Sequence, residues 1–165
     1  MVILDDITIR NELVPGDIGY IIYLHGLLYS KENAYGLHFE AYVAEGMLEF
    51  VKRYDPSLDR VWVCEHNNHI VGFILLMHRD NNAAQLRYFL IHPQYRGIGL
   101  GKRLIELYMQ FLHHCNYSTS YLWTTTEQKT AISLYRRYGF CLTEEKKSSL
   151  FGKPLLEQRF DLVIR

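Results

Sequence analysis

At 165 residues, with 48% hydrophobic and 22% charged side chains, the chain has the makeup of one soluble globular domain with enough apolar material for a real core. Lysine plus arginine equals aspartate plus glutamate at 18 each, a balance that argues against a dedicated nucleic-acid or anionic-membrane binder. No run approaches the ~20 apolar residues of a membrane span. The opening residues lack the basic stretch of a signal peptide, and Cys64, Cys115 and Cys141 lie far apart, so a reduced, cytoplasmic protein is expected. The eight histidines fall at no metal-binding spacing, and no metal is expected.

In chain order, residues 2–10 alternate as a first strand, and Pro15-Gly16-Asp17 turns into a helix with Asp17 as its N-cap. In that helix Ile18, Ile21, Ile22 and Leu24 face a core, while Tyr20, Tyr23, His25 and Tyr29 either line a cleft or pack. Gly26 and Gly36 interrupt the segment before a second helix over 39–54, which Pro56 stops. Two strands over 60–65 and 69–77 flank Asn67-Asn68, a tight hairpin signal. Another strand follows over 85–93, then a helix from Leu100 with Leu104, Ile105, Tyr108 and Leu112 at helical spacing. A strand over 121–124 leads into Thr125-Thr126-Glu127-Gln128, which has the form of a capping box. The helix behind it carries Ala131, Leu134, Tyr135 and Tyr138 on one face and ends at Gly139. Residues 140–143 and 155–164 make two last strands, joined by 146–154. Helices and hairpins are interleaved, so an α/β (α+β) fold is expected, with a mixed sheet of about seven strands and about four helices.

The stretch between strand and helix, Gln94-Tyr95-Arg96-Gly97-Ile98-Gly99-Leu100-Gly101-Lys102, holds glycines at alternate positions. Such residues let backbone approach a ligand, and free N–H groups at the helix start, with its partial positive charge, suit a phosphate. The spacing is neither that of a nucleotide P-loop nor the dinucleotide fingerprint. The form Arg-x-x-Gly-x-Gly, from Arg96 to Gly101, resembles the acetyl-CoA pyrophosphate loop of the GNAT N-acetyltransferase superfamily. A second stretch, from Gln128 through Ala131 and Tyr135 to Gly139-Phe140, is similar to that family's other signature. Gln128 stands where the family has asparagine, a departure that bears on the pantetheine contact. The element order also matches, so the resemblance spans nearly the whole chain. The front half, from Gly16 to Tyr29, resembles the acetyltransferase half of proteins fused to a MarR-type winged helix.

The resemblance implies an N-acetyltransferase that moves the acetyl group of acetyl-CoA directly to a primary amine. It implies backbone contacts to the pantetheine arm from Leu90, Ile91 and His92, and pyrophosphate contacts from Arg96, Gly97, Ile98, Gly99, Leu100, Gly101 and Lys102. Gln128 and Ala131 also belong to the cofactor site, and Tyr135 is the acid for the leaving thiolate. Read without the family, Tyr135 is a core tyrosine on an apolar helix face. No base stands out: Glu40 and Glu65 are candidates only by general location. The resemblance leaves room for a homodimer, and a CoA-binding sensor without turnover is the alternative reading.

Overall fold

In the computed structural model, which describes residues 1–165, a 3-10 turn at Leu4–Asp6 leads into β1 (Thr8–Arg10), α1 (Asp17–Asn33) and α2 (Leu37–Arg53). Then come β2 (Arg60–His66), β3 (His69–Arg79), β4 (Ala83–Ile91), a 3-10 turn at Pro93–Tyr95 and α3 (Leu100–His114). β5 (Thr119–Thr125), α4 (Lys129–Arg137), β6 (Cys141–Ser148) and β7 (Leu155–Val163) complete the chain. The strands form one sheet in the order β1-β2-β3-β4-β5-β7-β6. All pairings are antiparallel except β4 with β5.

Helices cover both faces, which explains why β3 reads as an unbroken apolar run, with every residue from Ile70 to Met77 buried. One face packs Leu104, Ile105, Tyr108 and Leu112 of α3 and Ile132 and Tyr135 of α4 against Ile74, Leu76, Leu86 and Leu122. The other packs Ile21, Leu24 and Leu28 of α1 and Val43, Met47 and Phe50 of α2 against Phe73, Leu75 and Met77.

The single parallel pairing positions the site. β4 and β5 are in register only at Ala83–Gln85 against Thr119–Tyr121. Beyond that, β5 stays with β7 as far as Thr125↔Glu157, while β4 stays with β3 as far as Gly72↔Ile91. The two strands therefore part. A bulge helps: between Phe73↔Leu90 and Leu75↔Arg87 β4 carries one extra residue, and Tyr88 takes φ +56°.

Several expected boundaries moved. The first strand is shorter because Asp6 accepts the Ile3 N–H at 2.9 Å and turns residues 4–6 into a 3-10 turn. Asp17 does not cap α1; it is the first helical residue. Its carboxylate takes the Val14 N–H at 2.8 Å and the Arg10 guanidinium at 2.7 and 2.9 Å. Gly26 does not interrupt α1. It lets α2 approach, since a Cβ there would lie 2.8 Å from Glu40 Oε1. The capping box does not form: Thr125 ends β5 with its hydroxyl 2.8 Å from that of Tyr35, and Gln128 is the N-cap of α4. At the other end of α4 the expected glycine stop does form. Gly139 has φ +91°, and the Phe140 and Gly139 amides bond the Tyr135 and Arg136 carbonyls at 3.2 and 3.1 Å.

Candidate functional site

The gap between β4 and β5 opens a cleft of about 570 Å³, lined also by α1, α4, the start of α3 and Phe151. At one end lies the glycine stretch. Gly97 and Gly99 take φ +79° and +92°, where side chains are strained, and the first bond of α3 runs from Arg103 N–H to Gly99 O at 3.0 Å. The amides of residues 97–102 have no acceptor within the chain. Unspent donors at a helix start, with its partial positive charge, suit an anion such as a phosphate. Gly97 and Gly101 line the cleft. Leu100 is buried in the core, Ile98 packs against it, and Lys102 is exposed, 3.8 Å from Glu106.

Along the cleft wall the inner edge of β4 has no strand partner beyond Gln85. His92 N–H donates to Val71 O at 2.8 Å, so it is spent on β3 and is not available to a ligand. Strand alternation turns Leu90 the same way and Ile91 the opposite way. The Ile91 carbonyl accordingly accepts Arg96 Nε at 2.9 Å, and its N–H faces the cleft. Of the three amides expected on the pantetheine arm, the geometry offers that of Ile91.

Arg96 is held by Glu32 of α1, whose carboxylate accepts both terminal nitrogens at 2.9 and 3.0 Å. The next residue, Asn33, accepts Gln128 Nε2 at 3.2 Å. The end of α1 thus grips both sides of the cleft mouth. Across it, Gln128, Ala131 and Tyr135 of α4 line the opposite wall. Tyr135 is buried against Phe89 and Phe140, with ring centroids 6.2 and 6.1 Å away. Burial pushes its phenol well above the usual range, so it stays protonated.

At the bulge, Tyr88 turns under α2, and a Cβ on Gly46 would lie 1.5 Å from its hydroxyl. That hydroxyl is buried without a partner. His25 meets the Tyr88 ring edge-on at 5.7 Å and lies 2.8 Å through Nδ1 from the Ile21 carbonyl. A carbonyl only accepts, so Nδ1 carries the proton and Nε2, also buried and unpartnered, presents a lone pair. Burial holds the His25 pKa down to about 4, and the ring is neutral at pH 7. His25 and Tyr29 line the cleft. Tyr20 and Tyr23 stack on each other at the surface instead. Glu65 pairs with Arg10, and neither it nor Glu40 lines the cleft. No group of three or more His, Cys, Asp or Glu side chains is placed to hold a metal ion.

Sequence reasoning missed the bulge at Tyr88, the Glu32–Arg96 pair and Arg87, which lines the far end of the cleft beside Tyr42. No local pattern marks them, because each is made by residues distant in sequence. Phe151 lies within the expected connection over 146–154, yet it closes the aromatic wall against Phe39 at 4.9 Å and Tyr42 at 5.3 Å.

A strand pair that parts around a cleft, with free amides at the helix start behind it, suits a ligand that carries phosphate. The chain matches the acetyltransferase (GNAT) family over residues 28–140, more than half its length, and belongs to that family. It is 29% identical over 112 residues to N-acetyltransferase 8F1 of Rattus norvegicus, covering 65% of this chain and 51% of that protein. The chain spans about half the length of the curated relatives it matches first. Its fold is shared with spermidine N-acetyltransferase from Vibrio cholerae, solved with CoA and spermine, at TM-score 0.70 and 22% identity over 96% of each chain. It is shared too with a GNAT family acetyltransferase from Elizabethkingia anophelis with acetyl-CoA bound, at TM-score 0.67 and 15% identity over 97% of this chain and 99% of that one. No helix is long and apolar enough to cross a membrane.

Proposed function

We propose that this chain is an N-acetyltransferase that carries the acetyl group of acetyl-CoA directly to a primary amine. The observation that carries the reading is the parted strand pair, with an unpaired edge along β4 that ends on the free amides of residues 97–102. Those residues fit an acyl-CoA: the helix-start amides suit the pyrophosphate, and the Ile91 N–H suits an amide of the pantetheine arm. Arg96 adds fixed positive charge once it leaves Glu32, and Ala131, small and cleft-lining, leaves room for the arm.

The acetyl thioester supplies an acyl carbon that an amine attacks, with the C–N bond forming as the C–S bond breaks. An alkyl ammonium has a pKa near ~10.4, so the site must take its proton away, and water in the open cleft is the route. The bulge at Tyr88 leaves the adjoining β4 amides without a strand partner on the cleft side, where they can meet charge developing on the carbonyl oxygen. Tyr135, kept protonated by burial, donates a hydrogen bond to the sulfur as it departs. The burial that protects its proton also opposes a phenolate, so the thiolate's proton is completed through solvent.

The test is calorimetric titration with acetyl-CoA, compared with adenosine bisphosphate, followed by thiol release across an amine panel. Saturable binding that needs the pantetheine arm, with thiol release on adding an amine, is the expected result. No binding at millimolar acetyl-CoA overturns the reading. Binding without release to any amine would favour a CoA-binding module without turnover. One feature points that way: the Gln128 amide is already engaged by Asn33.

A further inference from the structure

The far end of the cleft carries more positive charge than the fold consumes. Glu49 of α2 is shared by three guanidinium groups, Arg79, Arg53 and Arg87, the last two at 3.3 Å. The hydrogen bond from Arg79 and the charges of the three arginines hold the Glu49 carboxyl below its usual range, so it is ionised, and one negative charge faces three positive ones. Arg79 is further committed through Nε to Gln85 at 2.9 Å, and Arg53 is exposed to solvent. The surplus falls on Arg87.

Arg87 lies on β4 immediately before the bulge, at the opposite end of the cleft from the phosphate cradle, and it lines that cleft. Its side chain is only 10% exposed, yet its one hydrogen bond is the 3.3 Å contact from Nη1 to Glu49. Nε and Nη2 have no acceptor in the chain. The guanidinium is also held in place, 5.4 Å from the Tyr42 ring centroid and 4.8 Å from that of Tyr88. Gly46 crowds it from α2, where a Cβ would lie 2.8 Å from Nη2. A nearly buried, immobilised fork with two unspent donors matches a carboxylate bound by both oxygens.

The opposite wall has the complementary feature. Three carboxylates line the cleft: Glu32 pairs with Arg96, Glu127 with Lys153, and Glu157 with no cation. The cross-strand neighbour of Glu157, Lys146, sets its ammonium over the Trp123 ring at 4.3 Å instead. The rings of Phe39, Tyr42 and Phe151 line the same cleft.

We propose that the acceptor is an amine that also bears a carboxylate, of the amino-acid class with an apolar or aromatic substituent, and that Arg87 binds its carboxylate. Glu157 faces the ammonium before it is deprotonated, and the aromatic wall receives the substituent. A polyamine is the wrong partner, because its second ammonium would meet the arginine cluster. This assignment rests on the acetyltransferase reading above.

The experiment compares matched acceptors on the unaltered protein with saturating acetyl-CoA: phenylalanine, its amide, phenethylamine and spermidine, read by thiol release. We expect kcat/KM for the amino acid to exceed that for the amide and the amine by about tenfold to a hundredfold. Arg87→Gln, with Arg87→Lys as a variant that keeps charge but loses the fork, should remove that advantage. A readout free of turnover is calorimetry with N-acetylphenylalanine against its amide, where only the carboxylate should bind and Arg87→Gln should lose it. Equal or better turnover of the amide, the amine or spermidine overturns the assignment, as does equal or absent binding of the two acetylated compounds. Failure of acetyl-CoA itself to bind strikes the acetyltransferase reading, while the acetylated-compound titration still decides the carboxylate site.

Discussion

Gly46 sets how closely α2 approaches the bulge, and its replacement gives a sharp test of that geometry. A Cβ at this position would lie 1.5 Å from Tyr88 Oη, 2.7 Å from its Cζ and 2.8 Å from Arg87 Nη2. Tyr88 has little room to retreat, because its backbone is held at φ +56° in the bulge and its ring meets His25 edge-on. Overpacking of a filled site costs about 1–3 kcal/mol, and contact this short belongs at the upper end. Replacing glycine by alanine inside a helix returns about 1 kcal/mol, so Gly46→Ala should destabilise by a net of about 2 kcal/mol. For a chain of this size that is a fall in Tm of roughly 4–8 °C. Tyr88→Phe removes a buried hydroxyl that has no partner and should raise stability by about 1 kcal/mol. With the hydroxyl gone, the nearest ring atom to the added methyl is Cζ, so the two changes should be coupled by about 1 kcal/mol or more. Denaturant unfolding of the four proteins of the cycle measures this directly. Additive effects, or a Gly46→Ala protein more stable than its parent, would refute the placement of Tyr88 under α2.

Tyr135→Phe should lower kcat by roughly tenfold or more while leaving acetyl-CoA affinity within about twofold, measured by thiol release and calorimetry. Glu32→Gln removes the carboxylate from Arg96 and should tighten acetyl-CoA binding by a fewfold; because both side chains are well exposed, its effect on stability should stay under about 1 kcal/mol. Gly99→Ala should cost about 1–2 kcal/mol of stability through its φ of +92°. Gly101→Ala meets only ordinary contacts, the nearest at 3.4 Å, and should spare the fold while weakening acetyl-CoA binding by filling the cradle. His25 gives a pH signature. Its folded pKa of about 4 lies below the ~6.5 of the unfolded chain, so the unfolded state binds more protons between those values. Its contribution is complete above pH ~6.5, falls as the pH drops, and is gone below about 4, a change of about 3 kcal/mol. His25→Phe should flatten the stability profile across that window.

The residues alone determined the order of elements, the mixed sheet and the strand–loop–helix at 85–112, because hydrophobic period and glycine spacing are local properties that each segment carries in itself. The Schellman stop at Gly139 was legible for the same reason: only the conformation of one residue and its neighbours decides it. Where a side chain had a choice of partners, the sequence was silent. Thr125 could have capped α4, but Tyr35, ninety residues away, takes its hydroxyl, and Asp17 serves Arg10 and Val14 rather than its own helix. The bulge at Tyr88, the loss of His92 N–H to β3 and the surplus charge on Arg87 are likewise tertiary facts, each set by which strand or helix lies opposite. Periodicity says which face of an element is buried, and packing alone says against what. The glycine-rich helix start with its free amides could therefore be read from nine residues, whereas the arginine-lined end of the cleft had to wait until α2, β4 and β7 were brought together.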